Sequence, residues 1–128
     1  MTRTITCIFA ILGTLTASAQ AQQSIPKPTL ADAAKVVKII SADKSKVAAY
    51  CKLIDLVEEI YIATDGEDDS KLEQLDKQAA DLRRALGPEF IKLDAGLDQV
   101  DFQSKEGKVL AAELDKLDAL CPSKLLQP

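Results

Sequence analysis

From Leu30 onward the apolar residues recur at helical spacing, and strand-like alternation of useful length is missing. Leu30, Ala33, Ala34, Val37 and Ile40 share one face of a helix expected over 30–41, opened by a capping-box-like pair, Thr29 and Asp32. A second helix over 45–63 carries Val47, Cys51, Ile54 and Tyr61 on one face, with Leu53, Leu56, Val57 and Ile60 beside it. Its polar strip, around Lys52, Asp55 and Glu59, is narrow, which predicts a helix central to a bundle. Between the two, residues 41–45 supply capping side chains but no Gly or Pro, so the boundary is read as a break or a bend.

Asp65-Gly66 closes the second helix, and Ser70 with Glu73 forms a capping box for a third over 71–86. There Leu72, Leu75, Ala79, Leu82 and Leu86 step alternately by three and four, giving a single packing seam on an otherwise polar helix. Gly87-Pro88 separates it from a fourth helix over 88–100 with the stripe Phe90, Leu93, Leu97 and Val100, in which Gly96 costs about 1 kcal/mol relative to Ala. A fifth, over 105–120, presents Val109, Leu110, Leu114, Leu117 and Cys121 before Pro122 stops it. The expected fold is all-α: a small up-down helical bundle of four core helices plus a short N-terminal helix. Because the second helix has too little polar surface to lie exposed, the first is expected to cover it, with Val37 and Ile40 on Leu53, Val57 or Ile60. That arrangement is a monomer; a dimer covering the same face is the alternative.

The two ends of the chain read differently. Residues 1–21 combine Arg3, an apolar stretch from Ile5 to Leu15 and small residues ending Ala19-Gln20-Ala21, the pattern of a secretory signal peptide cleaved near Ala21. Eleven apolar positions are too few to cross a bilayer, which needs about 20 residues. A flexible linker over 22–28, carrying Pro26 and Pro28, then leads into a helical domain over 29–122, followed by a disordered tail at 123–128. The expected protein is periplasmic or secreted. Cleavage removes Cys7 and leaves Cys51 and Cys121, which in an oxidising compartment have one intramolecular pairing available. Alternating helix directions bring the end of the fifth helix to the level of Cys51, so the bundle and the bridge support each other. The 69 residues between the cysteines rule out a Cys-x-x-Cys redox motif.

Composition then narrows the chemistry. The chain has no His, and Met1 is its only methionine, so haem, copper and zinc ligand sets are not available; no cofactor is expected. Twenty acidic against 16 basic side chains, with no basic patch, argue against nucleic acid. The densest polar feature is Asp65, Glu67, Asp68 and Asp69 between the second and third helices, a candidate oxygen-rich site for a hard cation such as Ca²⁺, although Gly66 and Ser70 depart from a calcium-loop pattern. The simpler reading places these acids at the N-terminal dipole of the third helix. Asp94, Asp98 and Asp101 fall at i, i+4 and i+7, one side of the fourth helix, and read as a solvated face. Arg83 and Arg84, the only arginines left after cleavage, read as surface ion pairs, and Tyr50 and Tyr61 as partly buried positions.

The function expected is that of a small exported, non-catalytic helical protein acting through contacts with an unknown protein or small ligand. Cation binding at the acidic turn is one alternative, and an all-α enzyme acting on an anionic metabolite through Arg83, Arg84 and lysines is another.

Overall fold

The structure, a computed structural model, describes residues 24–66 and 68–122; the signal-like segment 1–21, residues 22–23 of the linker, Glu67 and the tail 123–128 lie outside the described residues. Among the described residues there are five α-helices and no strand: α1 (Leu30–Ser41), α2 (Lys44–Asp65), α3 (Asp69–Leu86), α4 (Pro88–Gly96) and α5 (Lys105–Asp118). Cys51 and Cys121 are joined, with their Cα atoms 5.3 Å apart. The all-α fold and its disulfide are those expected.

Local chemistry explains most boundaries. Thr29 Oγ1 accepts from the Asp32 amide at 3.2 Å while the Thr29 amide donates to Asp32 Oδ2 at 2.8 Å, completing the box that starts α1. The α1–α2 boundary is a true break, because Asp43 turns its carboxylate back to cap α2, accepting from the Ser45 amide at 2.8 Å. At the start of α3 the expected box on Ser70 does not form. Asp68 is the cap instead, accepting from the Lys71 amide at 3.1 Å, so the helix begins two residues earlier than its apolar period suggests. Gly87, at φ 103°, and Pro88 separate α3 from α4, and Lys46 Nζ donates to the Leu86 carbonyl at 3.1 Å, which ties the start of α2 to the end of α3.

The fourth helix is shorter than expected. It tightens after Gly96 into a 3₁₀ turn, Leu97–Gln99, and leaves helical conformation at Val100. Gly96 has a packing role besides its low propensity: a Cβ there would lie 2.8 Å from Pro28 Cδ and 2.9 Å from the Pro26 carbonyl. The end of the linker, expected to be flexible, is thus docked on α4, with Pro28 buried and Gln99 Nε2 donating to the Ile25 carbonyl.

The largest departure concerns α1, which is the hub of the fold. It touches α2, α4 and α5, and it is the principal neighbour of α5. Ala33, Ile40 and Val36 are 0%, 1% and 2% exposed, in one core with Leu53, Leu86, Phe90, Leu93, Leu110 and Leu117. Its buried face is Ala33, Val36, Val37 and Ile40, while Ala31 and Ala34 are exposed. Val57, one of the residues α1 was expected to cover, stays 46% exposed.

Helix length sets the rest. At 1.5 Å per residue α2 and α3 are about 33 and 27 Å long, against about 18 Å for α1 and 14 Å for α4. The distal part of α2 therefore outruns the body and pairs with α3 alone. A second, smaller core of Leu56, Ala63 and Leu75, with Leu72 and Leu82 against it, holds this hairpin together.

Candidate functional site

Where α2 leaves the body, one flank of it meets no other helix among the described residues. Ile54, Val57 and Tyr61, spaced i, i+3 and i+7, form a ridge on one side of α2. They are 44%, 46% and 71% exposed, and Ile62 beside them is 60% exposed. The ridge borders a cleft of about 130 Å³ whose other walls are Leu97, Leu114 and the Arg83–Asp94 ion pair. The cleft exists because α2 and α5 touch little beyond the disulfide and the Tyr50–Asp118 hydrogen bond, α5 packing chiefly on α1 and α2 chiefly on α3.

Tyr50 forms part of the cleft lining. Its ring packs edge-on to Phe90, centroids 6.2 Å apart, and its hydroxyl donates to Asp118 Oδ1 at 2.6 Å. Burial raises the hydroxyl's pKa well above the ordinary value, reinforced by the hydrogen bond to Asp118 and by the negative charges of Asp118, Asp115 and Asp94. The surroundings of the cleft are accordingly carboxylate-rich. Arg83 Nε donates to Asp94 Oδ2 at 2.7 Å, so the cation at the wall is paired.

The other candidate residues are distributed without converging. Asp68 caps α3, Asp69 lies in the first turn of α3, Asp65 ends α2, and Glu67 lies outside the described residues. Among the described residues no group of three or more His, Cys, Asp or Glu side chains is placed to hold a metal ion. Asp94, Asp98 and Asp101 do not share a helix face, since the helix ends between the first and second: Asp94 pairs with Arg83, Asp98 lies in the 3₁₀ turn, and Asp101 Oδ1 accepts from the Gln103 amide at 2.9 Å. Arg84 pairs with Asp81 one turn back on α3. No polar or charged residue is buried among the described residues, and no helix among them is long and apolar enough to cross a membrane.

Two sequence expectations about aromatic residues diverge. Tyr50, read as partly buried, is buried, whereas Tyr61, read the same way, lies in the overhang and is exposed, with no covering helix among the described residues. The ridge itself was hidden in the sequence, because a helix that is apolar nearly all round reads as central. Two signals mark it in retrospect: α2 is far longer than α1 and α4, and the acidic residues gather along its distal half. Compared with protein-family models, curated proteins and solved structures, the chain matches none of them, so its own surface is what points to a function.

Proposed function

We propose that this chain is a small exported, non-catalytic helical protein that works as a monomer by contact with a protein partner. The observation that carries the reading is the ridge Ile54–Val57–Tyr61 beside an open cleft, an apolar feature of α2 that no element among the described residues covers. Apolar side chains scattered singly over a surface are ordinary, but three in register on one helix face, at the rim of a cleft, form a contact surface. Support for export comes from the signal-like residues 1–21 and from the Cys51–Cys121 bridge, which belongs to an oxidising compartment.

Two measurements test this. The protein recovered from the exported fraction should begin at Gln22 and contain no free thiol. A tagged form should retain a stoichiometric partner that is lost with Val57→Lys plus Tyr61→Lys and kept with Lys35→Glu, a change at the ion pair between α1 and α4. Retention of the partner by the ridge variant, or an uncleaved protein confined to a reducing compartment, would overturn the reading.

A further inference from the structure

Charge along the chain is divided sharply. Residues 52–78, the distal part of the α2–α3 hairpin with its connecting turn, carry nine acidic side chains against three basic, leaving eleven acidic against thirteen basic in the rest. The net negative charge of the whole chain is therefore a property of the hairpin. On α2 itself Glu58 stands one turn from Ile54, Tyr61 and Ile62, and Asp65 one turn from Tyr61, so the ridge has acidic residues along its outer edge. Across the cleft Asp94 is paired with Arg83, so that wall carries no net charge of its own. An apolar ridge about 10 Å long thus has an acidic margin along its outer edge and a charge-paired wall across the cleft.

That combination selects among occupants. A second copy of the chain would bring another strongly acidic hairpin against this one, and like charges facing each other across an interface oppose association. An uncharged apolar ligand would leave the acidic edge of the hairpin without a counterpart. A helix with apolar residues on one face and lysines or arginines flanking them complements both features, placing its apolar residues against Ile54, Val57 and Tyr61 and its cations along the Glu58–Asp65 edge of the acidic hairpin. We propose that the ridge and cleft dock a cationic amphipathic helix of another polypeptide. This rests on the contact reading given above and specifies the chemistry of the partner.

The test uses the purified oxidised protein and three fluorescein-labelled 18-residue synthetic helices with one leucine pattern: a Leu/Lys peptide, its Leu/Gln counterpart and a Leu/Glu counterpart. Anisotropy titrations should show saturable one-to-one binding of the Leu/Lys helix, about tenfold or more tighter than that of the Leu/Gln helix, with no binding of the Leu/Glu helix. Raising NaCl from 50 to 500 mM should weaken it by about tenfold. Val57→Lys plus Tyr61→Lys should abolish binding, and Glu58→Lys plus Asp65→Lys, which keeps the ridge, should reduce the preference for Leu/Lys over Leu/Gln; circular dichroism of both variants checks that each is folded. Equal, ridge-dependent binding of Leu/Lys and Leu/Gln would overturn the cationic partner while leaving the contact surface standing. Binding of Leu/Lys that both variants retain is adhesion to net charge, and overturns the docking site. Absence of peptide binding, with or without ridge-dependent self-association in sedimentation equilibrium, overturns the proposal as well.

Discussion

The two halves of α2 have similar apolar content and opposite surroundings. Its first ten residues meet α1, the end of α3 and the end of α5, so Tyr50 and Leu53 are 8% and 3% exposed. Its distal half packs on α3, so Leu56 and Ala63 are buried, while Tyr61 and Ile62 are exposed and Val57, with Ile54 just before it, is half-exposed at the rim of the cleft. Amphipathicity is therefore a relation between a helix and its neighbours. The same residue types read as core where three helices surround them, and as a contact surface where only one does.

The largest effect should come from the bridge that fastens α5 to the body half of α2. Closing a segment with a sequence separation of 70 stabilises the fold by about 4 kcal/mol on the chain-entropy model. Cys51→Ser plus Cys121→Ser, or reduction, should thus lower Tm by more than about 10 °C. Thermal melting with and without reductant checks this, and thiols that alkylate in the folded, oxidised protein would contradict it.

Core truncations should distinguish the two regions next. Ile40→Ala, in the hub helix at 1% exposure, should cost about 3–4 kcal/mol; Leu75→Ala, in the hairpin core, should cost about 2 kcal/mol, because a two-helix layer open to solvent collapses more readily around the void. Urea unfolding measures both. Native-state hydrogen exchange sharpens the contrast: amides near Leu56, Ala63 and Leu75 should exchange by local opening, whereas those of Val36 and Ile40 should follow global unfolding. Equal protection in the two regions would mean that the hairpin is not a separate cooperative unit.

Smaller effects follow at single side chains. Tyr50→Phe removes the hydrogen bond to Asp118 and should cost about 1 kcal/mol at neutral pH. It should also change the alkaline behaviour. The Tyr50 hydroxyl has its pKa raised above the ordinary 10.0 in the folded chain, so the unfolded chain loses the proton first. Stability contributed by the neutral form is intact below pH 10 and declines as pH rises beyond it. Melting curves from pH 8 to 11 should show that decline in the wild type and a shallower one in Tyr50→Phe.

Asp68→Ala, which removes the α3 cap, should cost about 1 kcal/mol. Millimolar Ca²⁺ should leave that difference unchanged, and a saturable calcium-dependent rise in Tm would give the acidic turn a role beyond capping. Val57→Lys plus Tyr61→Lys should stay within about 0.5 kcal/mol of wild type for each substitution, since neither side chain belongs to a core. A larger loss would show that the ridge supports the fold instead of presenting a surface.

How much could be read in advance follows from the range of each interaction. Helix content, the Thr29–Asp32 box, the Gly87-Pro88 junction and the pairing of Cys51 with Cys121 were legible, because capping, helical period and covalent chemistry act within a few residues or have one available partner. Where competing local signals lie two residues apart, as Asp68 and Ser70 do, the sequence alone did not rank them; the cap went to the carboxylate whose position meets the Lys71 amide. The roles of the helices were decided only in three dimensions. The Ala33–Val36–Val37–Ile40 face of α1 becomes the centre of the core only when α2, α4 and α5 close on it, and the ridge of α2 is exposed because no helix among the described residues packs over it. Burial depends on what a helix meets, and that is set by the lengths and directions of all five elements together.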